Sequence, residues 1–184
     1  MRFVDNLLNG VTMYRLVLYG LTFLTILAIL FGFVGLLPYG GLSLLYSIIT
    51  ILAACFIANY IFAKLFKVQT NVESVWITGF ILFFILFPLS SLADTKIFVI
   101  VGVLAMASKY IIAIGKKHIF NPAAVAIFIV GLFGIGVASW WIGNSVMIIP
   151  IAILGFLILR KFQIFELFFS FLVFGLISTV AFGF

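Results

Sequence analysis

The sequence predicts an all-α fold, a polytopic transmembrane bundle of about seven helices, on three observations. Of 184 residues, 67% are hydrophobic and 8% charged, and 24 are Phe; a water-soluble domain has no way to cover that much apolar surface. The apolar residues fall into runs of membrane-spanning length. Between the runs lie short polar breaks that carry most of the basic residues. The whole of 1–184 is expected to form a single transmembrane domain.

Seven apolar spans are expected, at 16–37, 42–63, 74–93, 97–115, 121–141, 144–159 and 164–184. Most approach the roughly 20 residues that cross about 30 Å of hydrocarbon, the sixth being the shortest. The first is longer than the roughly 7–15 residues of a signal-peptide core and has no small-residue cleavage site after it, so it is expected to remain as a mature helix.

The net charge of +6 is dispersed rather than gathered into an arm, which argues against nucleic acid as a partner. Lys64 and Lys67, Lys116 and Lys117, and Arg160 and Lys161 occupy every second loop. With Arg2 and Arg15 at the start, the pattern predicts a cytoplasmic N-terminus in a bacterial inner (plasma) membrane, multi-pass in the lipid bilayer. The opposite loops, 38–41, 90–96 and 140–144, hold Lys96 beside Asp94, and place Trp140 and Trp141 as interfacial anchors.

The single cysteine, Cys55, lies mid-run and is expected to be a buried small residue. One cysteine and one histidine, His118, leave no zinc site, no iron–sulfur cluster within one chain and no paired haem ligands. No catalytic residue and no metal ligand is predicted.

Several residues punctuate helices. Thr70 and Glu73 have capping-box spacing before an apolar run, and Asn121-Pro122 is an N-cap followed by a first-turn proline. Each reads first as a cap, and second as a helix start whose free amides and positive partial charge suit an anionic or carbonyl-bearing ligand, with Ala123 and Ala124 leaving room for it. Ser74 and Thr78 share a helix face beside Gly79; their hydroxyls serve a ligand or a preceding carbonyl. Lys109 interrupts an apolar run, either snorkelling to water or facing the interior toward a carboxylate or an anionic cofactor group. Glu166 is placed to favour the first turn of the last helix.

Two stretches carry a family resemblance. Glu73-Ser74-Val75-Trp76-Ile77-Thr78-Gly79, running on to Pro88, resembles the Ser-Ala-x-x-Thr-Gly helix of one membrane family, the D-type membrane subunits of the Rnf electron-transport complex and the B-type membrane subunits of the sodium-translocating NADH:quinone reductase. Gly115-Lys116-Lys117-His118-Ile119-Phe120-Asn121-Pro122-Ala123-Ala124 resembles their Gly-Lys…Phe-Asn-Pro-Ala signature, and the likeness extends over roughly 70–184. The short Asn-Pro-Ala string also occurs in aquaporins, which need two copies where this chain has one.

The resemblance implies a bundle related to two inverted repeats of about ten helices in all, holding flavin while electrons cross the membrane, coupled to ion movement. Two departures limit it. The Ser-Gly-Ala-Thr motif, whose Thr carries a phosphoester-linked flavin mononucleotide in that family, is missing: residues 139–145 contain no threonine, and Thr95 precedes the signature helix and lacks the glycine. The chain also ends about three helices short, as expected of a minimal homologue or of the membrane part of a longer polypeptide.

The expected function is therefore a membrane electron-transport component with noncovalent flavin, FMN or riboflavin, bound by Ser74, Thr78, Gly79, Lys109, Asn121, Pro122 and Ala123. Its expected partners are a soluble flavin reductase domain or other electron-transport subunits. With no nicotinamide-binding glycine fingerprint, it is not expected to be a complete enzyme. The alternatives are a small-solute transporter or channel, because broken helices with capped ends also suit solute passage, and a purely structural membrane partner.

Overall fold

The computed structural model describes residues 10–69, 71–90, 94–114, 117–134 and 138–183. Among them are seven helices: α1 Met13–Val34, α2 Gly41–Phe66, α3 Val72–Ile85, α4 Thr95–Ile111, α5 Pro122–Leu132, α6 Ile148–Phe162 and α7 Phe165–Phe182. A two-residue antiparallel pair, Ala113–Ile114 with Lys117–His118, turns the chain from α4 into α5. The all-helical class is as expected. Three helices, α1, α2 and α7, are long and apolar enough to cross a membrane.

Helix ends follow local chemistry. Thr12 caps α1 through its hydroxyl, which accepts from the Arg15 amide at 3.3 Å. Gly35 closes the same helix at φ 79°, where only glycine is free of strain. The residues that end α2 and α6, Lys67 at φ 51° and Gln163 at φ 56°, adopt the same left-handed turn without being glycine.

The core lies where α2 meets α4, with α3 and α1 against its flanks. Leu44, Ile51 and Cys55 of α2 and Val101, Ala105 and Met106 of α4 have no exposed surface. Cys55 is thus the buried small residue expected of it. The two helices cross closely because Gly102 has no side chain; a Cβ there would stand 2.8 Å from that of Ala54. In contrast, α6 and α7 bury no residue fully, although Leu154 of α6 fills the space over Gly20 of α1.

Two helices are much shorter than their apolar runs. α3 has 14 residues and α5 has 11, about 21 and 17 Å of rise at 1.5 Å per residue, against about 30 Å of hydrocarbon. The expected spans 74–93 and 121–141 are corrected accordingly. α3 ends at Leu86, which is already extended, one residue ahead of Phe87, where Pro88 disfavours the helical region. α5 ends at Phe133, with Gly134 at φ 63° beyond it. Composition misses both ends since the chain stays apolar past them. α4 likewise stops at Ile111 rather than 115, giving way to the antiparallel pair.

A helix that ends in apolar surroundings leaves carbonyls that cost several kcal/mol each if unmet. Here they are met. The Ser139 amide donates to the Ile85 carbonyl at 2.7 Å, beside a bridge between Leu86 and Ala138. The Trp141 indole donates to the Phe83 carbonyl at 2.7 Å. Farther along, the Leu89 amide donates to Ser47 Oγ at 2.7 Å, and Ser43 Oγ donates to the Leu89 carbonyl. Trp141, 6% exposed and edge-on to Tyr39 and Phe83, is therefore a core residue. Its expected place as an interfacial anchor is corrected, while Trp140 stays exposed.

Candidate functional site

The starts of α1, α3 and α5 and the end of α4 meet at one end of the bundle. α3 starts there with Asn71 as cap, its Oδ1 accepting from the Glu73 amide at 3.0 Å. This replaces the expected Thr70 cap; Thr70 itself lies outside the described residues. Asn121 caps α5 as expected, accepting from the Ala123 amide at 3.0 Å, with Pro122 in the first turn. Both helices thus bring their positive ends to this cluster.

Between them is a half-open cleft of about 250 Å³, lined by Tyr14, Ser74, Thr78, Phe120, Asn121 and Pro122, with Ile77, Ile81 and Ile119 as its apolar wall. Four of the seven residues singled out in the sequence line it. The other three stand around it. Lys109 reaches across from the last turn of α4 and donates to the Ser74 carbonyl at 3.0 Å and to Ser74 Oγ at 3.1 Å. Its ammonium therefore sits behind Ser74, turned inward, and its partners there are a carbonyl and a hydroxyl rather than a carboxylate. Ala123 is fully buried beneath Asn121. Gly79 faces α2, where a Cβ would lie 2.6 Å from Leu52 Cδ2, so its smallness serves helix packing.

Thr78 is buried, and its hydroxyl donates to the Ser74 carbonyl at 2.8 Å. Its oxygen keeps acceptor capacity toward the cleft. An ammonium has three N–H donors, of which Lys109 gives two to Ser74. At the mouth, Arg15 Nε meets Glu73 Oε1 at 3.2 Å, compensating the acid nearest the cleft. Among the described residues no acid lines the cleft, and two helix starts and an ammonium surround it. The arrangement favours a ligand with an aromatic body and a polar edge that carries or gains negative charge.

Tyr14 and Phe120 join the site without having been expected in it. Phe120 is readable as the neighbour of Asn121, whereas Tyr14 comes in only because α1 packs on α3. His118 belongs to the antiparallel pair, and the described residues include no group of three or more His, Cys, Asp or Glu suited to a metal ion.

Searched against protein-family models, curated proteins and solved structures, the chain matches none of them.

Proposed function

We propose that this chain is a membrane electron-transport component that holds a flavin without a covalent bond in the cleft between the starts of α3 and α5. The observation that carries the reading is convergence. Ser74 and Thr78 from one motif stretch, and Asn121 and Pro122 from the other, line one cleft although they lie far apart in sequence. In this reading the chain crosses a bacterial inner membrane with the cleft near the cytoplasmic face, on the side of the N-terminus and the lysine pairs.

The fit is partial and informative. A volume of about 250 Å³ is just under the roughly 300 Å³ at the lower end for small-molecule pockets, so the cleft admits a ring edge while the remainder of the molecule lies at the open mouth. The flavin supplies hydride and single-electron chemistry when bound. The chain's residues supply stacking on Phe120 or Tyr14, hydrogen bonds from Ser74 and Asn121, and a positive background from Lys109 and the helix starts. With no threonine in 139–145, attachment by the family's phosphoester is excluded from the proposal. Electrons enter from a soluble reductase domain or another subunit.

The visible spectrum of gently purified protein tests this. A flavin band that leaves with the supernatant on acid precipitation supports it; flavin mass on the polypeptide contradicts the noncovalent attachment. A second reading, passage of a small solute, draws on the short helices α3 and α5, whose following segments are bridged at Leu86 and Ala138. Colourless protein that moves solute into liposomes favours that reading.

A further inference from the structure

A second cavity lies between α2 and α4. It has a volume of about 550 Å³ and runs along α2 from Ile49 to Phe62, closed on its other flank by Val99 and Val103 of α4. Ala54, on its floor, is where α2 and α4 touch, across Gly102. Among the described residues Thr50 is its one polar side chain, and Ile57, Val99 and Val103 remain exposed on its walls.

Three features together select an occupant. The cleft extends over fourteen residues of α2, about 20 Å at 1.5 Å per residue, which exceeds the roughly 15 Å depth of one leaflet. Its volume of about 550 Å³ spread over that length leaves a cross-section of about 28 Å², which suits a thin flexible chain and not a helix about 10 Å across. At the end marked by Phe62 the same helix face continues to Lys64, seven residues beyond Ile57 and so nearly aligned with it. Lys64 Nζ stands 4.5 Å from the Tyr60 ring centroid, and Lys67 follows at the helix end.

We propose that this cleft binds one anionic phospholipid, an acyl chain lying between α2 and α4 and the phosphate resting at Lys64 and Lys67. The inference requires the chain to lie in a bilayer but is independent of flavin in the other cleft. Lysine at the membrane surface attracts anionic lipid headgroups, and the apolar walls retain the chain that follows.

The purified protein is placed in phosphatidylcholine nanodiscs containing a minority of phosphatidylglycerol, released into the gas phase and weighed with its retained lipids. One phosphatidylglycerol is expected to remain bound in preference to phosphatidylcholine. Ala53→Phe fills the cleft from an exposed position and should abolish that retention with helicity unchanged. Lys64→Gln with Lys67→Gln should retain the two lipids equally, which assigns the preference to the headgroup. Full retention of phosphatidylglycerol by Ala53→Phe overturns the proposal, and so does equal retention of both lipids by the unaltered protein. A second polypeptide retained in place of lipid, and lost on Ala53→Phe, also overturns it, since the cleft would then be a protein interface.

Discussion

The two ends of α3 are alike in origin and opposite in outcome. Each is a helix end with backbone groups to satisfy, one followed by apolar chain and the other preceded by polar chain. At the C-terminal end the bundle supplies partners through Ser139, Trp141, Ser43 and Ser47. At the N-terminal end Asn71 meets one amide, and the space beyond stays open as a cleft with Ser74 and Thr78 on its wall. The difference separates a break that holds the fold together from a break that can receive a ligand. Substitutions at the closed end should cost stability, while those at the open end should cost ligand.

The largest effect is expected from Trp141→Ala. It removes a buried ring packed on Phe83, Phe84 and Tyr39 and leaves the Phe83 carbonyl unmet, a loss of about 3–5 kcal/mol for a large aromatic. Trp141→Phe keeps most of the volume and should cost about 1–3 kcal/mol for the lost donor. Unfolding in detergent followed by circular dichroism measures both. A loss below about 1 kcal/mol for the alanine variant would mean that the closed end is not held from this side.

Ser47→Ala tests the same closure with a smaller group. Ser47 has no exposed surface; its oxygen accepts from the Leu89 amide while its proton goes to the Ser43 carbonyl at 2.7 Å. The alanine strands a buried amide, at about 1–3 kcal/mol. The same unfolding measurement checks it, and a neutral result would show that the extended chain at 86–90 finds another partner.

What the sequence made legible follows from this division. Caps are local, so Asn121-Pro122 was readable from its own neighbours, as were the helices themselves from hydrophobic runs. Helix ends inside apolar runs were not, even though Pro88 marked one of them: composition continues unchanged across Leu86 and Phe133, and only the backbone turns. Trp141 was misplaced for the same reason, since a tryptophan near a polar break looks interfacial until the partner carbonyl at Phe83 is known. Ser74, Thr78, Asn121 and Pro122 were legible as candidate residues through their motifs. Tyr14 was not, because nothing local to it announces that α1 closes the cleft.

At the open end, Asn121→Ala removes a cap and should cost about 1 kcal/mol of stability; with flavin bound as proposed, its retention should also fall. Lys109→Met removes the ammonium behind Ser74. Helicity should be preserved, because the Ser74 carbonyl still accepts from Thr78, while retention of the flavin band after gel filtration should drop about tenfold, equivalent to about 1.4 kcal/mol. An unchanged band would leave Lys109 as a tie between α3 and α4 and nothing more.

The smallest stability effect, and the sharpest test of ligand charge, concerns Arg15 and Glu73. Their side chains are 57% and 37% exposed and meet at 3.2 Å; an exposed pair of this kind contributes roughly 0.2–1 kcal/mol and is weakened by salt. Arg15→Gln should therefore barely move the unfolding midpoint. It nevertheless leaves Glu73 uncompensated beside Ser74, so an anionic ligand in the cleft should be held several-fold more weakly at low salt. Glu73→Gln added to Arg15→Gln should restore retention, because the repelling charge is gone, and high salt should bring all the variants together. A neutral ligand would respond to none of these changes, and that outcome would separate a charged occupant from an uncharged solute without knowledge of either structure.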